Sequence, residues 1–398
     1  MELFRIMPCR YETIKNTIEG YERTGVPLIA YKDECTFHNT GAIPEYGPAC
    51  FADDPGACYF IPKLVEIFGV SLDTAVQLMY SGSVCLAFLA GAIACFLYCE
   101  TRLGKLIGVI AIGILSFIIA GVSDLYVFLG SIPLALIPWW LYLQKIGNSK
   151  YIIPYFVLAG LIIAFAQLMR VHSGTATLIF ICMSLIFFSN QFSNKIKFLS
   201  VLGIACAMLS VFLSFNLVLQ ERTDFLIGIG STMELSGFRI LWHNAYYSLG
   251  YLWNNFGFSG WPGHEPSDWY SLAKALSIRP DVVIFSREYE DILKYAYFEF
   301  VKEHPLFFLQ TIFTKFGVLL MYIFMFTNIG LILSMYYPQG IKFNLLFLIA
   351  ICFNMLFGIL AMPSYTHILG LFAFSTLFNI YSIDFALQKG LLKRLKWI

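Results

Sequence analysis

Residues 75–122 read AVQLMYSGSVCLAFLAGAIACFLYCETRLGKLIGVIAIGILSFIIAGV, two long apolar runs divided by Glu100–Thr101–Arg102. A helix needs roughly 20 mostly apolar residues to cross the hydrocarbon core of a bilayer. Each run supplies that length, and charge appears only at the divide. Working outward, the same texture recurs near 125–143, 151–169, 173–189, 198–219, 313–335, 343–362 and 368–386. With 75–98 and 105–122, these stretches predict an all-α polytopic membrane protein of about nine transmembrane helices. Pro133 and Pro138 fall inside the third span, where a membrane helix accommodates them with a kink.

Composition agrees with that reading. Of 398 residues, 59% are hydrophobic and 13% charged, whereas soluble domains carry about 25% charged residues. A surface so poor in charge would not keep a chain of this size in solution. The formal net charge of +1 gives no reason to expect a nucleic-acid partner. The 39 Phe and 23 Tyr suit a protein that packs rings against lipid and at its interfaces.

Lysine and arginine set the expected orientation. Arg102 and Lys105, Lys145 and Lys150, Lys195 and Lys197, Lys342, and the tail with Lys389, Lys393, Arg394 and Lys396 all fall on one side when nine spans alternate. The opposite short loops hold Asp124, Arg170 with His172, and the Pro363–His367 turn. The basic side is therefore expected to be cytoplasmic. The chain then divides into an extracytoplasmic region 1–74, a six-helix bundle 75–219, an extracytoplasmic loop domain 220–312, a three-helix bundle 313–386 and a cytoplasmic basic tail 387–398. Nothing in Met1–Met7 resembles a signal peptide or a span. The sequence accordingly leads us to expect a transmembrane helix ahead of Met1, lost to a late start or a truncated gene; a tail translocated without a leader is the alternative.

Region 1–74 reads as amphipathic helices around 11–23 and 57–69 joined by a loop near 41–56. Cys9, Cys35, Cys50 and Cys58 all lie here, an even number in a compartment where pairing is feasible, with connectivity open. In the loop domain, Asn254, Asn255, Gly257, Gly260, Pro262 and Gly263 form a turn-rich centre. The clearest helix is 287–303, where Tyr289, Ile292, Leu293, Ala296, Tyr297, Phe300 and Val301 recur at helical spacing. Glu288, Glu290, Asp291 and Lys294 are expected off that stripe. Ser286 can cap its start and Pro305 ends it.

The polar residues with chemical potential gather on the outer side. Asp53 and Asp54 precede Pro55–Gly56, where a carboxylate can act as a general base toward a sugar hydroxyl or simply cap the next helix. Asp124 stands in a very short outer turn, as an acidic site residue or an ordinary turn aspartate. Arg170, beside His172 and Ser173, can grip a phosphate with its forked guanidinium or snorkel at a helix end. Lys315 carries the same two readings. His243 and His264 can serve as polar framework in the loop domain. No Cys/His spacing resembles a zinc site. The spans contain almost no charge at their centres, which argues against an ion-coupled transporter.

Taken together, Asp53–Asp54–Pro55–Gly56 with Tyr59, Ser123–Asp124–Leu125–Tyr126, Arg170–Val171–His172–Ser173–Gly174, the run Trp242–Tyr251, and Glu288–Lys294 resemble the GT-C superfamily of integral membrane glycosyltransferases, which includes protein O-mannosyltransferases and lipid A aminoarabinose transferases. The resemblance covers most of the chain and rests on the order and sidedness of these segments. It implies a polyprenyl-phosphate sugar donor, a glycan or protein acceptor, a bilayer-embedded enzyme of a bacterial inner membrane, and transfer with inversion. It also implies no required cofactor, with a divalent metal left open. By the same resemblance, Asp54 or Asp53 would be the catalytic base and Asp124 a second acidic position orienting the acceptor. Arg170, His172 and Lys315 would bind the donor phosphate, and His243, Tyr246 and Asn254 would shape a pocket lid. Family members have a helix before the acidic loop, and this chain departs from that pattern. Competing readings are an O-antigen polymerase or ligase, suggested by Arg239–Ile240–Leu241–Trp242, a lipid or glycolipid transporter, and a non-catalytic scaffold.

Overall fold

The computed structural model describes residues 6, 8–34, 43–49, 55–122, 124–231, 241–252, 269–282 and 284–391. Asp53, Asp54, Asn254, His264, Cys35, Cys50, the turn-rich centre of the loop domain and the tail lysines and arginine beyond 391 lie outside these residues. Within them the chain is almost entirely helical. Eight helices are long and apolar enough to cross a membrane: Leu72–Tyr98 (α3), Arg102–Ala120 (α4), Asp124–Ile146, Ser149–Met169, Asn194–Gly228 (α8), Pro305–Tyr336 (α12), Ile341–Leu360 (α13) and Leu369–Gln388 (α14). The third and fourth each open with a 3-10 turn, leaving Val127–Ile146 (α5) and Ile152–Met169 (α6) as their α-helical parts.

The expected span 173–189 differs. There the chain forms a nine-residue helix, Thr175–Met183 (α7), that runs into a five-residue π turn, Ser184–Phe188. A helix rising 1.5 Å per residue is too short at this length to cross the core alone. Polar pairing fixes its end: Gln144 in the last turn of α5 donates to Ser184 Oγ (2.7 Å) and Ser189 Oγ (2.5 Å), and Ser189 donates to the Ser184 carbonyl. The π turn thus finds side-chain partners in place of the next turn of α-helix. The short helix and its π turn connect the Arg170 turn to the Lys195 loop.

Helices α5 and α14 form the middle of the bundle and are its most buried spans. Close approach relies on glycine: a Cβ at Gly91 would fall 2.6 Å from the Leu134 carbonyl oxygen of α5. At the Lys195 end, the buried Asp384 of α14 accepts the backbone N–H groups of Glu100 and Thr101, both at 3.1 Å, and the Thr101 hydroxyl at 2.6 Å. It thereby ties the start of α4 to α14. Helices α8 and α12 lie at the periphery, with most of their surface open to the surroundings as lipid-facing helices require.

The described part of region 1–74 sits over the other end of the bundle. Pro8–Thr24 (α1) packs against a two-stranded antiparallel ribbon, Ile29–Tyr31 (β1) with Tyr46–Pro48 (β2), an element absent from the all-helical expectation. Strands of three residues are too short to show alternation in sequence. Asp33 holds the ribbon to α1, accepting from Thr13 (3.0 Å) and Asn16 (3.3 Å). Gly56–Phe68 (α2) then lies on α6 and α8, with Phe60 against Phe165 and Tyr59 against Phe215.

The loop domain has its own small core of Tyr246, Leu249, Ala275, Tyr289, Leu293 and neighbouring side chains, built from Leu241–Tyr247 (α9), Trp269–Ile278 (α10) and Arg287–Glu303 (α11). Helix α11 occupies the expected range, and Ser286 Oγ accepts the Tyr289 N–H as its cap. Glu290 departs from expectation. It is 6% exposed and turns inward, where its carboxylate accepts the N–H groups of Trp242 (2.7 Å) and His243 (3.0 Å). An acidic side chain off the apolar stripe is drawn in because the first N–H groups of α9 have no helical partner.

Candidate functional site

Asp124 opens the 3-10 turn Asp124–Tyr126 with a backbone φ of +75°, a left-handed conformation that aspartate tolerates better than most residues. One carboxylate oxygen accepts the Leu125 N–H at 2.9 Å. The other forms an ion pair with Arg10 of α1. Asp124 is 1% exposed and Arg10 8%, so the pair is buried. The second acidic position inferred from sequence is thus desolvated and held by a guanidinium reaching in from the N-terminal region.

Two further turns meet on the neighbouring Tyr126. Arg170, which follows the last residue of α6, places its guanidinium carbon 4.7 Å from the Tyr126 ring centre and Nη2 3.4 Å from the phenol oxygen. The His367 ring meets Tyr126 edge-on at 5.3 Å. His367 Nδ1 lies 2.6 Å from Ser364 Oγ, whose other neighbour is Thr366 Oγ1 at 2.7 Å. Three loops far apart in sequence (121–126, 170–174 and 361–368) therefore converge on one phenol ring.

His172 is exposed, with a left-handed φ of +69°, and its ring lies 4.7 Å from Phe357 of α13. Gly174 has φ +78° and packs against Ile132 and Ile163, so the turn closes over the bundle at a residue that needs no side chain. Lys315 is buried. Its ammonium donates to the carbonyls of Ala361 (2.8 Å) and Ile359 (3.3 Å) and sits 5.8 Å from the Tyr251 ring. It therefore satisfies the orphan carbonyls that end α13. Ser248 Oγ also donates to the Leu360 carbonyl, docking the loop domain on the same helix end.

Helix α2 starts at this place as well. A Cβ built at Gly56 would fall 2.5 Å from the Leu168 carbonyl oxygen and 2.9 Å from the Met169 nitrogen. The first residue of α2 thus rests on the backbone that leads into Arg170. Asp124, Arg170, His172 and Lys315 all belong to this end of the bundle; Asp53 and Asp54 precede Pro55 in the chain and lie outside the described residues.

His243 and Tyr246 are elsewhere, inside the loop-domain core. His243 Nδ1 lies 2.7 Å from the Tyr289 hydroxyl, and its ring packs on Phe285 and Tyr289. Burial pushes the Tyr246 phenol up to about 12, with Glu299 adding to the effect. Burial also raises the Glu290 carboxyl above its ordinary range, while the N–H groups of Trp242 and His243 pull against it. An acid raised in the folded state adds stability below its unfolded pKa and loses that stability as pH rises through the folded value. Glu290→Gln should therefore flatten the pH dependence of the loop-domain core across and just above the ordinary carboxylate range. Near-UV circular dichroism during thermal unfolding would report it, and an unchanged profile would refute the assignment.

Arg10, Tyr126, Ser364 and His367 carry no site role in the sequence reading. Arg10 lies on the buried face of α1 with Thr13, Ile14 and Thr17, a mostly polar face that the sequence does not mark as buried. Cys9 is free and Cys58 is disulfide-bonded. Among the described residues, no group of three or more His, Cys, Asp or Glu is placed to hold a metal ion. A groove of about 730 Å³ on α10 and α11, lined by Arg287, Asp291 and Tyr295 among others, shares no residue with the Tyr126 cluster. No family model, curated protein or solved structure matches the chain.

Proposed function

We propose that the chain is an integral membrane glycosyltransferase that moves a sugar from a polyprenyl-phosphate donor to an extracytoplasmic glycan, polysaccharide or protein acceptor. The observation that carries this reading is the seat of Gly56 on Leu168 and Met169. It sets the start of α2, three residues after Asp53 and two after Asp54 in the chain, on the backbone that presents Arg170. Asp124 and Tyr126 stand at the same end of the apolar helices, which in this reading is where a lipid-borne substrate would present its headgroup. The basic loops lie at the other end, which the positive-inside rule assigns to the cytoplasm, along with the C-terminus.

In this mechanism the acceptor oxygen bonds to the anomeric carbon as the carbon–oxygen bond to the donor phosphate breaks. The acceptor proton passes to the carboxylate of Asp54 or Asp53. The phosphate departs with the bonding pair and one added negative charge, which the Arg170 guanidinium offsets. Attack opposite the leaving group inverts the anomeric configuration, through an oxocarbenium-like state. Asp124, fixed by Arg10, would orient the acceptor side. Lys315 would act by holding the end of α13 in place, and His172 lies at the exposed rim. His243 and Tyr246 would support the loop domain that docks through Ser248; Asn254 would shape its edge. Lys315 and Asp384, two charged side chains of the spanning helices, are both engaged with backbone groups. That use favours an enzyme over an ion-coupled carrier.

The test is sugar transfer by the full-length protein in vesicles containing a polyprenyl-phosphate sugar, with Asp53→Asn and Asp54→Asn made separately. Loss of transfer in one of the two, with normal amounts of folded protein, is the expected result. Undiminished transfer in both would remove the assigned base.

A further inference from the structure

Three α-helices begin at the turns that meet on Tyr126. Among the described residues, no side chain accepts a hydrogen bond from their own first turns, although Asp124 caps the 3-10 turn that precedes α5. Helix α5 follows Tyr126, α7 follows Gly174 and α14 follows Ile368, each without a capping hydrogen bond. On the opposite side of the bundle, Thr101 and Ser193 cap α4 and α8. Uncapped N-termini present N–H groups and the positive end of the helix dipole. Dipoles alone define no site, but two further observations stand beside them. The hydroxyl of Ser173, next to the start of α7, is fully buried and has no hydrogen-bond partner among the described residues. The side chains delivered to Tyr126 from two different turns, Arg170 and His367, are both of types that bind anions.

We propose that His367 is a second phosphate-binding residue of this site, acting with Arg170 on a lipid-borne phosphate headgroup. The inference rests on the glycosyltransferase reading for its role in turnover but concerns binding in its own right. Ser364 is what positions the ring. Its hydroxyl at Nδ1 fixes the imidazole through that nitrogen, and the edge contact with Tyr126 sets the ring beside the phenol that Arg170 also covers. In the protonated form the imidazolium supplies a charge-assisted hydrogen bond to a phosphate oxygen. In turnover, that bond strengthens as the phosphate gains charge on leaving the anomeric carbon. The acceptor proton still goes to the carboxylate, so His367 changes no atom balance.

The probe is dodecyl phosphate, with dodecanol and inorganic phosphate as controls, titrated into the full-length protein in lipid nanodiscs and read by calorimetry. Wild type should bind dodecyl phosphate in preference to both controls. One charge-assisted hydrogen bond corresponds to about a tenfold loss of affinity or more, so His367→Ala should weaken binding by about that factor. His367→Gln keeps a hydrogen-bonding group without the charge and should weaken binding similarly. His367→Lys, with a fixed charge, should recover most of the loss. Equal affinity in wild type, His367→Ala and His367→Gln overturns the inference. Inorganic phosphate binding as tightly as dodecyl phosphate overturns the lipid assignment. If the histidine dependence holds while wild type transfers no sugar from any polyprenyl-phosphate donor, the glycosyltransferase reading fails and the phosphate site stands.

Discussion

Replacing Arg10 by alanine should destabilise the folded protein by about 3–5 kcal/mol, the range for removing one partner of a buried ion pair. The reason is what remains behind. The Asp124 carboxylate is 1% exposed, and one of its oxygens is met by Arg10. Without the guanidinium, a buried charge is left uncompensated, or the turn must open to hydrate it. Either outcome separates α1 from the α4–α5 turn and disturbs Tyr126. The matched control is Arg23→Ala. Arg23 pairs with Glu19 at 2.7 Å, but both side chains are more than 40% exposed, and such pairs contribute about 0–1 kcal/mol. The double variant Arg10→Met with Asp124→Asn should recover most of the loss, because it removes both charges and keeps a residue suited to a left-handed backbone. Thermal unfolding in one detergent would rank the four proteins. Arg10→Ala melting with wild type would mean that the pair does not hold the N-terminal region to the bundle.

The contrast between these two arginines shows what a sequence conceals. Arg10 and Arg23 stand on the same helix, and both look like solvated charges of an amphipathic segment. Only the partner separates them, and Asp124 is more than a hundred residues away in the chain. The membrane helices were legible because length and apolarity are local properties, and α11 because its stripe, Ser286 cap and Pro305 lie within twenty residues of one another. The shorter helix at 173–189 has the same origin. Its composition is that of a span, but Gln144, from another helix, decides that the chain leaves the α-helical path at Ser184. Glu290 was placed outward because its own helix gives it no reason to turn in; the demand comes from the unpaired N–H groups of α9. Tyr126 and His367 could be placed on the outer side from alternation, yet nothing in either turn states that they touch.

The Gly56 contact allows the sharpest separation between packing and chemistry. Gly56→Val should lower the proposed sugar transfer by about a hundredfold, the scale expected when catalytic groups are displaced by about 1 Å, and should cost about 1–3 kcal/mol of stability as overpacking. The added Cβ would fall 2.5 Å from the Leu168 carbonyl oxygen and 2.6 Å from its carbon, both backbone atoms. No side chain can rotate away to make room. Helix α2 must therefore lift from the end of α6, which under the proposed mechanism would misplace the catalytic carboxylate relative to Arg170. Gly82→Val is the control, since a Cβ there meets nothing within 4 Å, and it should leave transfer close to wild type. Gly56→Ala should fall between, with the same sign as valine and a smaller size. The pattern across the three variants matters more than any one value. A loss at Gly56 that follows side-chain volume, with dodecyl phosphate binding at Arg170 retained, would place the damage on the carboxylate side of the site. Full transfer by Gly56→Val would mean that the start of α2 does not govern the chemistry, and the link between the acidic pair and Arg170 would be lost.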